Sequence, residues 1–291
     1  MLIFNIQLLV SMLSFRQYLE EKLIMYNQGK RYGQIVFLAG GAGSGKGFAI
    51  TNFMEKEKFK IRDVDEWKKA FQTLADTKGI YPEIQGLKLS NPKDVYKLHT
   101  FVRNKGIKDK TLDLLLQDSN TNRLPNIMFD ITMKDANDIG DVLPKLIEAG
   151  YDSKNVHLTW VLTNYAVAIV NNRNRERVVP EDIMLLSHEG AAKSMYEVIK
   201  GKLPRGLNGG VRVVLNNREN TIPWVDPDTK EPMKDHKSGD VLVKDFTYLT
   251  FKKEGKTMGP ELGIKRQLLG WISANVPKTK LTKDMVSLEV E

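Results

Sequence analysis

Short apolar runs alternate with longer amphipathic stretches along most of this chain. Residues 34–39 (QIVFLA), 126–130 (NIMFD) and 156–162 (VHLTWVL) are three such runs, and 59–64 (FKIRDV) and 212–215 are two more. Runs this short, bounded by turn formers, predict strands, the first of them a short buried strand and that at 156–162 fully apolar. Between them the apolar spacing lengthens to three and four residues, which predicts helices. These fall near 46–58, 66–74, 92–117 with a break at Gly106, 138–149 stopped by Gly150, 165–177, and 180–200 opening on Pro180. Strands alternating with helices predict an α/β fold with a parallel sheet, whose ligands gather at the carboxyl ends of the strands.

After residue 220 the texture changes. Pro223, Pro227, Pro232 and Gly239 punctuate a polar stretch, followed by a strand-like run at 241–253 and a helix over 260–275. The pattern predicts three units: an N-terminal extension at 1–32, an α/β domain at 33–220, and a small α+β appendage at 221–291. Within the α/β domain a helical insertion occupies 70–125 and a lid 170–180. Residues 1–13 are apolar but too short to span a bilayer, and they lack the basic start and small-residue cleavage site of a signal peptide. Translation starts at Met1 or, if the upstream residues were added by gene calling, at Met12. From there residues 14–23 place Phe15, Leu19 and Leu23 on one helical face. No membrane partner is expected, and the location is read as cytoplasmic.

Composition narrows the chemistry. Hydrophobic residues make up 41% and charged residues 27%, the balance of a globular domain. The absence of cysteine excludes a disulfide scaffold, thiol catalysis and any Cys-ligated metal. His99, His157, His188 and His236 show no metal-ligand spacing. The net charge is +8, and since 221–291 is close to neutral the excess falls on the α/β part. That suits a phosphate-rich partner, nucleotide or nucleic acid. Residues 90–125 add Lys93, Lys97, Arg103, Lys105, Lys108, Lys110 and Arg123, with Tyr96, His99 and Phe101 interleaved. Such a composition suits a wall for single-stranded nucleic acid, and equally a solvated helix face.

The first apolar run breaks into Gly40-Gly41-Ala42-Gly43-Ser44-Gly45-Lys46, followed by Gly47 and Phe48. This fits G-x-x-x-x-G-K, the phosphate-binding P-loop. Its glycines let backbone N–H groups approach a phosphate, the lysine reaches the β- and γ-phosphates, and the next helix adds its N-terminal dipole. ATP or GTP with Mg²⁺ is the implied ligand. Gly47 stands where such loops usually carry the Ser or Thr that holds the metal. A Lys-Gly pair there resembles adenylate kinases, and the metal is then expected on Asp63 or Asp130 through water.

Phosphoryl transfer to a hydroxyl needs a carboxylate to accept the proton. Asp65, at the end of the run beside the P-loop, is the candidate base, with Asp63 as the alternative. Downstream, Arg173, Arg175 and Arg177 fall within five residues just before Pro180. Arginine spreads charge developing on phosphate oxygens, and an Arg-rich tip suits a lid.

The order of these parts resembles the zeta-toxin kinases and the related phage-type polynucleotide kinases. It runs P-loop, then Asp65-Glu66-Trp67-Lys68, then a strand ending in Asp130 with Thr132 nearby, then the Arg-rich segment and Val179-Pro180-Glu181-Asp182-Ile183-Met184. The resemblance covers about residues 33–218 and implies a P-loop kinase-type three-layer fold. It places Asp65 as general base, Lys46 as the P-loop lysine and the three arginines in the catalytic lid. By the same resemblance Lys68 positions substrate, and Asp130 and Thr132 frame the acceptor, a nucleic acid or a nucleotide-sugar. The insertion and the tail depart from the family. The start also resembles, over a short stretch, capsid-targeting peptides of tailed phages, trimmed after an L-x-E such as Leu19-Glu20-Glu21. With Gly47, this motivates an alternative: a nucleotide-binding phage structural or packaging protein whose P-loop does not catalyse. A phage-encoded kinase would act in the host cytoplasm.

Overall fold

A computed structural model describes residues 23–26, 32–117, 123–217, 219–234, 236, 239, 241–258 and 262–277. The helix expected at 14–23 lies outside the described residues except for Leu23.

Seven strands form one sheet in the order β2-β3-β1-β4-β5-β7-β6. They are β1 (Ile35–Ala39), β2 (Lys60–Arg62), β3 (Ile127–Ile131), β4 (Val156–Leu162), β5 (Val211–Leu215), β6 (Thr221–Pro223) and β7 (Val243–Lys252). The first five pair in parallel. Every residue of β1, β4 and β5 is buried, as expected for strands covered on both faces. Alternation along β1 divides the core: Ile35, Phe37 and Ala39 face one cluster, Val36 and Leu38 the other.

The phosphate loop leads into α1 (Lys46–Phe53), which packs Ala49, Ile50 and Phe53 under one sheet face. α1 is shorter than the pattern predicts. Met54 turns extended and bridges to Ile24, whose N–H donates to the Phe53 carbonyl at 2.8 Å. β2 is shorter too, because Asp63 leaves the strand to cap α2 (Val64–Lys78), accepting from the Asp65 N–H at 2.7 Å. Asp65 therefore sits in the first turn of a helix, not at a strand tip.

The insertion holds α3 (Pro92–Asn104) and α4 (Ile107–Gln117), broken at Gly106 as predicted. It has a small core of its own, where Ala75, Ile84, Leu98, Phe101 and Val102 pack together. The helix expected at 138–149 is two pieces, α5 (Asn137–Gly140) and α6 (Leu143–Glu148). Pro144 in the first turn of α6 supplies no N–H to bond Gly140, so the chain restarts there. α7 (Tyr165–Arg173) and α8 (Glu181–Ile199) complete the α/β part.

The tail is knit into this framework. β7 runs antiparallel to β5, and β6 antiparallel to β7. Phe246 stacks on Phe53 of α1, with centroids 4.0 Å apart. Leu268 and Ile272 of α9 (Leu262–Asn275) are buried in the main core. Phe246 of β7 and Leu268 and Ile272 of α9 thus pack into the same core as the α/β part.

Candidate nucleotide site

The loop between β1 and α1 is held from outside by side chains of three other elements. His188 Nε2 donates to the Ala42 carbonyl at 2.8 Å, and the Ala42 N–H donates to Ser187 Oγ at 3.3 Å. Asn171 Nδ2 donates to the Gly43 carbonyl at 3.2 Å, and Asn216 Nδ2 to that of Ser44 at 3.0 Å. The Ser44 N–H closes the loop on itself by donating to the Gly41 carbonyl at 3.1 Å. Gly43 and Gly45 have φ of +75° and +83°, and a Cβ on either would meet Ala168 O at 2.3 Å or Asn216 Nδ2 at 2.1 Å. Only glycine fits these two positions.

α1 begins without a side-chain cap and without an acidic residue in its first turn. Its N-terminal amides have no intrahelical acceptor. The buried Ser44 hydroxyl also has no hydrogen-bond partner among the described residues. An uncapped helix start with an orphaned hydroxyl beside it suits an oxyanion. Lys46 meanwhile donates to the Gly40 carbonyl at 2.7 Å and lies 3.4 Å from Asp130 Oδ1.

A cleft of about 850 Å³ opens from this loop. Its lining brings together Ala42, Gly43, Ser44, Gly45, Lys46 and Gly47 with Asp63, Asp65, Lys68, Asp130, Thr132, Arg175 and Arg177. Asp65 is the most tightly held of the acids. Arg177 Nη2 contacts one oxygen and Lys68 Nζ the other, the latter at 2.7 Å. Burial alone would raise the Asp65 carboxyl, but Arg177 and then Lys68 outweigh it and hold it below the usual carboxylate range. Burial pushes Asp130 up to about 6 against the pull of Lys46, with Asp63 and Asp65 adding repulsion. Asp63 is raised as well, by burial and then by Asp65.

The arginines separate into two groups. Arg173 is the last residue of α7, and its side chain, 63% exposed, pairs with Glu181 outside the cleft. Of the three arginines expected in the lid, Arg175 and Arg177 line the cleft and Arg173 does not. Arg175 and Arg177 stand on a loop, because α7 stops short of the predicted 177. Asn172 fixes that stop by bonding both the N–H and the carbonyl of Val179, at 3.0 and 2.8 Å. The loop rests on the insertion, with the Val178 N–H donating to the Leu89 carbonyl at 3.0 Å. Arg177 is buried, and Arg175 opens onto the cleft without an ion pair among the described residues. Phe48 is likewise outside the lining, packed edge-on against Phe53 at 5.6 Å. Gly40 and Gly41 shape the loop from behind, and a Cβ on Gly41 would strike the His188 ring at 2.3 Å.

Among the described residues no three His, Cys, Asp or Glu side chains form a metal-binding group. Around the position of the missing hydroxyl, a Cβ on Gly47 would meet nothing within 4 Å. Ser187, His188, Asn171 and Asn216, which brace the loop, escaped the motif reading. They lie 128 to 172 residues from the atoms they hold, and no local spacing marks them.

A parallel sheet with strand order 2-3-1-4-5, a glycine loop and lysine directly after its central β1, Asp63 just beyond β2 and Asp130 near the end of β3 make up an α/β fold of P-loop type. Among solved structures the chain is similar to the PezAT chromosomal toxin–antitoxin system of Streptococcus pneumoniae, at 14% identity over 70% of this chain and 75% of that one, with a TM-score of 0.42. It is also similar to AvrRxo1-ORF1:-ORF2 with ATP, at 10% identity over 89% of this chain and 76% of that one (TM-score 0.45). A deoxyadenosine kinase from M. mycoides is a third, at 15% identity over 62% and 89% (TM-score 0.31). No family model matches the chain, and no curated protein matches it at a significant level. No helix among the described residues is long and apolar enough to cross a membrane.

Proposed function

We propose that this chain is a nucleoside-triphosphate-dependent kinase of zeta-toxin or polynucleotide-kinase type, transferring a γ-phosphoryl group to a hydroxyl. One observation carries the reading: a phosphate loop, the carboxylates of Asp63, Asp65 and Asp130, and two arginines converge on a single cleft. Lys46 and the first-turn amides of α1 bind the β- and γ-phosphates of ATP or GTP. Asp65 takes the proton as the acceptor oxygen bonds to the γ-phosphorus and the bond to the nucleoside diphosphate breaks. Arg175 and Arg177 neutralise charge on the transferring group.

In the resting arrangement Asp65 is a weak base, since Arg177 and Lys68 stabilise its anion. Arg177 moving to a bound phosphate would raise the carboxyl toward the range useful for proton abstraction. The oxygen donors of Asp130 and Asp63 suit Mg²⁺, which usually takes one or two carboxylates plus substrate phosphates. When bound, Mg²⁺ supplies charge neutralisation at the phosphates.

The acceptor is proposed to be a nucleic-acid end or a nucleotide-sugar. Incubation with γ-labelled ATP and a panel of oligonucleotides, nucleotide-sugars and nucleosides tests the reading. Label on one acceptor supports it. Tight ATP binding with no acceptor labelled favours the alternative, a nucleotide-binding phage structural or packaging protein, which Gly47 motivates.

A further inference from the structure

The helical insertion supplies a wall of the same cleft, and that wall has its own chemistry. α3 turns Leu98, Phe101 and Val102 into the insertion's small core, while Val95 is buried beside the cleft. This leaves Tyr96 on the open side of the helix, 56% exposed and lining the cleft. The tyrosine contributes nothing to the core it borders. His99, three residues on and so on the same helical face, also lines the cleft. Burial, then Lys68 and Arg103, pull its pKa below the ordinary histidine value. A neutral imidazole carries one donor and one acceptor. Lys108 of α4 lines the cleft as well, with Asp138 near enough to interact.

An open aromatic face, a neutral imidazole and an ammonium make a set that recognises a base-bearing phosphate. Aromatic rings accept nucleobases of any identity, the imidazole can read an edge or a sugar hydroxyl, and the lysine meets phosphate as a point charge. We propose that Tyr96 and His99 seat the base of a nucleotide acceptor and that Lys108 takes its phosphate. The inference rests on the kinase reading and extends it, assigning acceptor recognition to a segment where the chain departs from the family it resembles. All three are binding or positioning residues, acting before the transfer step. The ligand chemistry is that of a nucleoside with at least one phosphate, whether a polynucleotide end or a nucleotide-sugar.

The test measures label transfer by the full chain from γ-labelled ATP to three probes: a 5′-hydroxyl oligonucleotide, a uridine-diphosphate sugar and a base-free sugar phosphate. Tyr96→Ala should raise KM for the accepted nucleotide probe about tenfold or more, the usual worth of one stacked base, while Tyr96→Phe stays near wild type. His99→Gln and Lys108→Gln should each raise the same KM several-fold, with KM for ATP changing less. Which nucleotide probe responds identifies the source of the acceptor. Unchanged acceptor KM in Tyr96→Ala, or equal use of the base-free sugar phosphate by wild type, overturns the inference and leaves the kinase reading standing. Wild type that binds ATP but labels no probe overturns both.

Discussion

Replacing Arg173, Arg175 and Arg177 singly by lysine separates charge from the planar guanidinium fork, and the three positions should respond differently. Arg177 is buried against Asp65, with side-chain exposures of 10% and 31%. A hydrogen bond to a charged group contributes about 1.5–3 kcal/mol. Lysine keeps the charge and loses the fork, so a loss of about 1 kcal/mol is expected, or about 2–4 °C in Tm for a chain of this size. Turnover should fall as well, because the same fork is the one available to the transferring phosphate. Arg175 forms no ion pair among the described residues. Its lysine variant should therefore hold its Tm while losing roughly tenfold or more in kcat, about 1.4 kcal/mol of barrier. Arg173 pairs with Glu181 outside the cleft, and its variant should be near wild type in both. The assay is differential scanning calorimetry beside steady-state label transfer with the accepted probe. If Arg173→Lys alone loses turnover while the other two run at wild-type rate, the assignment of the lid arginines is wrong.

Asp65→Asn should leave ATP affinity within a few-fold and cut transfer by roughly 10²–10⁴, the usual worth of a positioned base. A larger loss in Asp63→Asn would move the base to Asp63. In the loop, Gly43→Ala should abolish ATP binding measured by calorimetry, since its Cβ meets Ala168 O at 2.3 Å. Gly47→Ser meets nothing, and it should fold normally and lower the Mg²⁺ concentration needed for half-maximal transfer; a raised requirement would contradict the reading. Acid stability tests His157, which is fully buried, accepts from the Gly210 N–H at 2.9 Å and lies 2.9 Å from Gln34 Oε1. Burial and then Arg212 hold its pKa well below 6.5, with Glu254 opposing. The unfolded chain therefore binds the extra proton, and stability falls as pH drops below about 6.5, at up to about 1.4 kcal/mol per pH unit. His157→Gln should flatten thermal unfolding between pH 6.5 and 4.5; an unchanged slope would refute this.

Much of the site was legible because its chemistry is local. Glycine spacing, the lysine and the strand before them identify the loop, and β4 falls on its predicted residues because a fully buried strand is apolar throughout. Boundaries failed where distant contacts decide them. α1 ends where Ile24 bridges to Met54, and α7 ends where Asn172 clasps Val179. The same cause hid the loop's braces, His188 and Asn216, and the union of the tail with the sheet through β7. Arg173 stands apart from Arg175 and Arg177 because the helix ends between them, a boundary the local sequence did not mark.

The central claim is phosphoryl transfer at the loop, and a single-turnover experiment tests it most directly. Wild type and Lys46→Ala are mixed with γ-labelled ATP and the acceptor panel, and the labelled product is counted. The account predicts one labelled acceptor with wild type and a loss of at least about 100-fold, nearly 3 kcal/mol of barrier, with Lys46→Ala at unchanged Tm. Equal label in both proteins, or none with wild type that binds ATP, would contradict it.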